Sequence, residues 1–244
     1  MSETLVVNEI YVSLQGESTW AGLPCVFVRL TACNLRCSYC DTAYAFTEGS
    51  KMSLGDALAR VEELARPFAR TAGGQRLPLV ELTGGEPLLQ KGALPLMRAL
   101  CDAGFTVLIE TSGALDIGKV DTRARRIMDL KCPSSGESGR NRWENIAELK
   151  GTDEVKFVIG TQEDYDWAKA VIVERKLEAI CPLLMSWVSP LQPGQQDKSL
   201  KAVPAGQTPI TRKELAEKIV ADALPVRFQL QMHKFIWPPD ERGV

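Results

Sequence analysis

The chain is poor in histidine, in aromatic residues and in surplus charge of either sign. Its 244 residues include one histidine, and Phe, Trp and Tyr together make 7%. Lys and Arg number 29 against 31 Asp and Glu, a formal net charge of −2. That balance gives no electrostatic footprint for a nucleic-acid partner. No apolar run approaches the ~20 residues that span a bilayer, so no membrane association is expected. The opening Met1-Ser2-Glu3-Thr4 has no basic region followed by an apolar one, and no secretory leader is read there. Hydrophobic residues at 45% and charged residues at 25% are ordinary for a soluble globular protein. Domains usually run to about 100–200 residues and α/β barrels somewhat longer, so one large domain is expected.

Cysteine is present in an odd number, seven. In a reducing cytoplasm, that count fits metal ligation plus spare thiols better than a disulfide framework. Three fall in one window, Cys33, Cys37 and Cys40, within Thr31-Ala32-Cys33-Asn34-Leu35-Arg36-Cys37-Ser38-Tyr39-Cys40-Asp41-Thr42. Three thiolates on one loop can hold three irons of a [4Fe–4S] cluster. No fourth cysteine follows nearby, which leaves one iron open to a small molecule. A structural zinc site is the alternative, but such sites are closed by four ligands, and the only histidine, His233, is far downstream. A chance cluster of buried thiols is the remaining reading. Cys25, Cys101, Cys132 and Cys181 sit in or beside apolar stretches and read as small buried hydrophobes.

Strand-like and helix-like segments alternate. Apolar runs at 26–30, 77–82, 105–109, 126–130, 155–159 and 180–188 read as strands, and a last run at 227–236 closes the chain. Helical patterns occupy 94–100, 163–175 and 212–221. Another opens at Ser53, with Leu54, Leu58, Val61, Leu64 and Ala65 on one stripe and Ser53/Asp56 close to a capping box. Alternation of this kind predicts a parallel sheet with crossover helices, its strands covered on both faces. The length supplies about six βα units rather than eight, so the expected fold is an α/β, incomplete, laterally open (β/α)6-type barrel. Loop-rich stretches are 137–141 and 192–207. Each special motif follows a strand: the cysteines, then Gly84-Gly85-Glu86-Pro87, then Glu110-Thr111-Ser112-Gly113, then Asp129-Leu130-Lys131. Strand C-terminal ends converge on one face of a barrel, so these residues are expected to line one pocket. Gly-Gly-Glu-Pro by itself could equally be a plain strand-to-helix turn.

CxxxCxxC with Tyr39 before the third cysteine resembles the signature of the radical S-adenosylmethionine (SAM) enzymes, and Gly84-Gly85-Glu86-Pro87 resembles their GGE motif. The resemblance narrows with Glu9-Ile10-Tyr11-Val12-Ser13-Leu14-Gln15-Gly16-Glu17, Arg29, Cys40-Asp41-Thr42, Tyr44-Ala45, Pro133-Ser134-Ser135-Gly136 and His233-Lys234. Together they are similar to the 7-carboxy-7-deazaguanine synthase family over nearly the whole chain. The resemblance implies a lyase, a single radical SAM domain over 1–244 with an N-terminal strand extension and a C-terminal tail that caps the substrate. It implies conversion of 6-carboxy-5,6,7,8-tetrahydropterin to 7-carboxy-7-deazaguanine with release of ammonia, on the route to queuosine-type bases for tRNA. The implied cofactors are a [4Fe–4S] cluster, SAM and Mg²⁺. The implied partners are the pterin, a low-potential electron donor such as flavodoxin or ferredoxin, and a second copy in a homodimer.

Carried over residue by residue, the resemblance puts Cys33, Cys37 and Cys40 on the cluster. It puts Tyr39, Cys40, Asp41, Gly85, Asp129, Leu130 and Lys131 at SAM, and Leu14, Gln15, Gly16, Arg29, Thr83 and Val244 at the substrate. Thr42 falls on Mg²⁺. Relatives often read Ser-Pro-Lys where this chain has Asp129-Leu130-Lys131, and Ser18 stands where glycine is common. Plainer readings accompany these roles: a surface ion pair for Arg29, a turn cap for Thr42, a loose tail for Val244 and a packed core histidine for His233. Two rival classes remain, a radical SAM activase of glycyl-radical enzymes and a non-enzymatic iron–sulfur electron carrier. Leu14-Gln15-Gly16 and Arg29 speak against the first, and the missing fourth cysteine against the second.

Overall fold

The computed structural model describes residues 4–244. Met1–Glu3, the start of the stretch read for a leader, lie outside the described residues. In chain order the strands and helices are β1 (Thr4–Leu14), β2 (Pro24–Leu30), β3 (Ser50–Ser53), α1 (Leu54–Ala65), β4 (Leu79–Gly84), α2 (Ala93–Asp102), β5 (Val107–Thr111) and β6 (Arg125–Asp129). They continue as β7 (Glu154–Ile159), α3 (Gln162–Arg175), β8 (Leu183–Trp187), α4 (Arg212–Ala221), β9 (Arg227–Gln229) and α5 (His233–Ile236). One sheet runs β3-β1-β2-β4-β5-β6-β7-β8-β9 and does not close on itself. From β2 to β9 every pairing is parallel, and β1 runs antiparallel to both β2 and β3. The open barrel expected from the sequence is present. Its six parallel crossovers differ in content: four carry an α-helix, whereas β5–β6 crosses by loop and β6–β7 by short 3₁₀ turns.

The helices begin where their caps dictate. Ser53 Oγ accepts from Asp56 N at 3.1 Å and donates to the Asp56 carboxylate at 2.7 Å, which starts α1. Val61 and Ala65 bury in the core, with Leu54, Leu58 and Leu64 packed against it, so the predicted stripe faces the sheet. Thr161 and Asp164 form a complete capping box at α3, as Thr211 and Glu214 do at α4. The predicted 227–236 strand is corrected. β9 finds ladder partners in β8 only over Arg227–Gln229. The chain then turns so that Met232 N reaches Gly16 O and Lys234 reaches Asp41, and His233 opens α5.

Strand periodicity divides the sheet into two faces. Val26, Val28 and Leu30 of β2, with Val80 and Leu82 of β4 and Val107 and Ile109 of β5, enter the main core under the helices. Their neighbours point to the barrel interior. There Cys25, Leu79, Leu108 and Ile127 form a small apolar floor with Trp20, Leu23 and Phe27. Above it the same face turns polar, with Glu81, Thr83, Glu110, Asp129, Lys156 and Ser186. The expectation of apolar strands on both faces holds for the lower half only. The spare cysteines match their reading: Cys25, Cys132 and Cys181 are buried, and Cys101 is partly buried against the core.

The β1–β2 turn reaches across this interior to strands on the far side. Thr19 Oγ1 donates to Glu154 at 2.5 Å, Ser186 Oγ donates to Glu17 at 2.9 Å, and Gln229 Nε2 donates to Ser18 O at 3.0 Å.

Gly84 has φ +124°, and a Cβ there would sit 2.2 Å from Leu30 O, so it tolerates no side chain. Gly84→Ala is expected to leave little soluble folded protein. Ser53→Ala, which removes only a cap, should cost about 1 kcal/mol. Thermal melts of the two variants beside the parent check both.

Candidate active site

A cavity of about 540 Å³ opens at the C-terminal ends of the parallel strands. Its lining joins the cysteine loop after β2, the ends of β4 to β7, the β1–β2 turn and the chain's last residues. The sequence-predicted residues Leu14, Gln15, Gly16, Arg29, Cys33, Cys37, Tyr39, Cys40, Asp41, Thr42, Thr83, Gly85, Asp129, Lys131 and Val244 all border it. Leu130 does not: its side chain is fully buried in the core on the outer face, and its N–H goes to Lys156 O at 2.9 Å. A direct side-chain role for Leu130 at SAM is therefore withdrawn.

The cysteine loop is fixed from two sides. Gly85 N donates to Leu30 O at 3.1 Å and Glu86 N to Ala32 O at 2.8 Å. A Cβ on Gly85 would lie 2.1 Å from Ala32 O. Glycine is thus required first for main-chain packing between the loops. With its N–H spent, Gly85 can offer a ligand its carbonyl, an acceptor suited to an ammonium. Glu86 lies under this turn, fully buried, and accepts from Leu88 N, Thr111 Oγ1, Ser112 N and Ser112 Oγ. On the other side, Ser38 N and Oγ bond Ser135 O and Ser134 O, and Glu137 accepts from Arg36 N at 2.7 Å.

Cys33, Cys37 and Cys40 border the one cavity as free thiols. Burial pushes all three up, Cys40 to about 11 and Cys37 to about 12, with Lys131 opposing the shift at Cys33 and Cys37. Thiols so desolvated need a positive metal partner to ionise, and a bound cation supplies it. No three His, Cys, Asp or Glu side chains among the described residues are gathered around a single-ion position. Three free thiols bordering one cavity suit an iron–sulfur group, in which three thiolates hold three irons. Beside it, Tyr39 Oη and Asp129 Oδ1 are buried without partners, polar atoms suited to a bound polar molecule. Asp129 Oδ2 holds Lys131 Nζ at 2.6 Å. Burial disfavours the Lys131 ammonium, but Asp129 and Cys37 outweigh it and raise its pKa.

The pocket's other flank is built on Arg29. Its Nε donates to Glu9 at 2.7 Å and its Nη2 to Tyr11 Oη at 2.6 Å, and Tyr44 Oη donates to Glu9 at 3.0 Å. The pair is mostly buried, so the surface ion-pair reading fails. Nη1 makes no hydrogen bond among the described residues. Thr42 makes no side-chain cap; its hydroxyl lies 3.8 Å from Cys40 Sγ. Gln15 is more committed than the resemblance implied. Its N–H and C=O bond Leu23 and Gly22, its Oε1 accepts from Glu17 N and Ser18 N, and its Nε2 donates to Glu81 at 2.9 Å.

Sequence reasoning missed the interior charges. Lys156 Nζ contacts Glu110 directly and stands 3.9 Å from Glu17, while Thr83 Oγ1 donates to Glu110 at 3.1 Å. Burial opposes the Glu110 charge, yet Lys156 holds its pKa below the usual value. Glu81 has no such cation, and burial with the nearby Glu110 charge pushes it up to about 8. The signal was available: Glu81 and Lys156 interrupt apolar strands at interior-facing positions. His233 borders the cavity from α5, not from a closing strand, and burial lowers its pKa.

The chain's last segment straps the mouth. Lys234, nearly buried, pairs with Asp41 at 2.5 Å, and Gln231 Nε2 donates to the same carboxylate at 3.3 Å. Burial works against the Asp41 charge, but Lys234 holds it below its usual pKa. Arg242 pairs with Glu48 at 2.7 Å and lies 3.8 Å over the Tyr44 ring.

Residues 28–134 match the radical SAM superfamily. The chain is 43% identical over 240 residues to the 7-carboxy-7-deazaguanine synthase of Koribacter versatilis, covering 98% of this chain and 99% of that protein. It is 41% identical over 243 residues to that of Chlorobaculum tepidum, covering 98% and 97%. The crystal structure of QueE from Escherichia coli superposes with a TM-score of 0.68 at 21% identity, covering 94% of this chain and 95% of that one, a likeness of fold. At the identity and coverage of the curated relatives, the chain belongs to the 7-carboxy-7-deazaguanine synthase family of radical SAM enzymes.

Proposed function

We propose that the protein converts 6-carboxy-5,6,7,8-tetrahydropterin to 7-carboxy-7-deazaguanine with release of ammonia, as one radical SAM domain whose tail caps the substrate. The observation that carries this reading is one shared cavity, bordered at one end by three free thiols and at the other by Arg29. A bound cluster and SAM would supply radical chemistry at this end of the cavity. Cys33, Cys37 and Cys40 would hold the cluster. The Gly85 carbonyl, Tyr39, Asp129 and Lys131 would hold SAM, with Asp41 fixed beside them by Lys234. Arg29, pre-oriented by Glu9 and Tyr11, takes the pterin carboxylate through its remaining N–H groups. Thr42 offers its hydroxyl to Mg²⁺, a hard cation suited to oxygen. Leu14, Gly16, Thr83 and the Val244 end enclose the ring, and the acidic groups above the apolar floor suit its N–H-rich edge. The rival activase reading needs room for a protein substrate, and the strapped mouth speaks for a small molecule. A flavodoxin or ferredoxin supplies the electron to a cytoplasmic homodimer in this reading. Anaerobic reconstitution, then incubation with SAM, reductant, Mg²⁺ and the carboxylated pterin, tests it; absence of the deazaguanine acid overturns it.

Substitutions at three places probe the assignments: the cysteines, Arg29 and Thr42. Cys33→Ala, Cys37→Ala and Cys40→Ala should each lose the visible absorbance of the cluster and all turnover, whereas Cys101→Ala should keep both. Arg29→Lys keeps charge but loses the planar fork. It should weaken pterin binding by roughly 1.5–3 kcal/mol, measured by titration, with SAM cleavage in the absence of pterin preserved. Thr42→Ala should abolish the Mg²⁺ dose–response at unchanged iron content, and Thr42→Ser should retain most of it.

A further inference from the structure

Three carboxylates, Glu17, Glu81 and Glu110, line the cavity above its apolar floor together with one ammonium, Lys156. Lys156 contacts Glu110 and lies 3.9 Å from Glu17, whereas Glu81 has no cation within ion-pair distance among the described residues. Glu81 is 2% exposed, and the one hydrogen bond to its carboxyl among the described residues is from Gln15 Nε2. Through that amide it braces the whole β1–β2 turn, because Gln15 Oε1 holds Glu17 N and Ser18 N. The groups facing Glu81 come from every neighbouring element. They are Gln15 and Glu17 from the turn, Tyr11 from β1, Cys25 from β2, Glu110 from β5 and Lys156 from β7.

We propose that Glu81 works as a neutral carboxylic acid, a positioning residue that holds the Gln15 turn in the shape that admits the substrate. A buried carboxylate without a cation is costly, and a buried group of this kind takes up a proton instead. The neutral form keeps an acceptor for Gln15 Nε2 and adds no charge beside Glu110. Its loss of the proton places a second uncompensated anion against Glu110 and Glu17, and the turn that carries Leu14 and Gly16 shifts. The proton therefore governs substrate binding and leaves the cysteine loop, on the opposite flank, untouched. The inference about binding rests on the pterin reading; the protonation state does not.

The test has one arm that needs no substrate. Infrared spectra of the parent at pH 7 should contain a buried carboxylic-acid carbonyl band that is absent from Glu81→Gln and that fades in the parent by pH 9. In the second arm, the parent's KM for the pterin should rise about tenfold from pH 7 to pH 9, as expected for one proton lost near the pKa of about 8. Glu81→Gln, a permanently neutral isostere, should remove that rise, Glu81→Ala should raise KM at both pH values, and SAM cleavage without pterin should persist in both variants. Identical infrared spectra for parent and Glu81→Gln, or an undiminished KM rise in Glu81→Gln, overturn the proposal. If Glu81→Gln does not fold, a parent spectrum with no acid band fading between pH 7 and pH 9 overturns it alone. A band with the expected behaviour in a protein that does not turn over the pterin overturns the substrate reading and leaves the neutral acid standing.

Discussion

Parallel strands that stop short of a closed ring leave a gap, and polar groups of one turn bridge it. Thr19, Glu17 and Ser18 carry the β1–β2 connection to β7, β8 and β9, each through a hydrogen bond to a buried or half-buried partner. Burial raises the pKa of Glu154, the acceptor for Thr19. A buried hydrogen-bonded network of this kind is costly to leave half made. Part of what the cavity presents from its substrate flank hangs on that turn: Leu14, Gln15 and Gly16 directly, and Glu17 beside Lys156. The barrel's hydrogen-bond ladder sets the heights of the strands, and this cross-brace sets their enclosure.

The same period of two explains both the core and the chemistry. On each strand, one set of side chains seals the sheet to its helices and the other set faces inward. The inward set is apolar low in the barrel and charged near the strand ends, so water is excluded beneath the groups that need a low dielectric. Lys156 and Glu110 stay ionised because they meet; Glu81 meets only an amide. Two acids in nearly the same surroundings are thereby held in different states, which is how a site acquires both fixed charge and a retained proton.

Much of this was legible in the chain. CxxxCxxC announced the cluster loop, Ser53 and Asp56 announced α1, and the alternation of apolar runs with helical stripes announced the open barrel. The glycine pair was legible as a close approach, although the closest approach turned out to be Leu30 and Ala32 of the same chain. The polar interior was harder. Leu79-Val80-Glu81-Leu82 reads as one apolar run with a flaw, and only the neighbouring strands show that the flaw lies on the inward face, opposite Glu110 and Lys156. Leu130 was placed at the ligand because of its sequence neighbours, yet strand alternation sends it to the opposite side from Asp129 and Lys131. The 227–236 run looked like a strand because local pattern cannot register a tertiary ion pair; Lys234 reaching Asp41 decides the backbone there.

Main-chain contact between the cysteine loop and the glycine turn has one more consequence. Leu30 O, Gly85 N, Ala32 O and Glu86 N are joined without any rotatable side-chain bond between them. The separation between Cys33 and the Gly85 carbonyl is therefore a property of backbone geometry alone. Rotamer exchange elsewhere in the cavity can reshape the substrate's surroundings while that separation stays constant. The enzyme in effect has a hard gauge at one end of its pocket and adjustable jaws at the other.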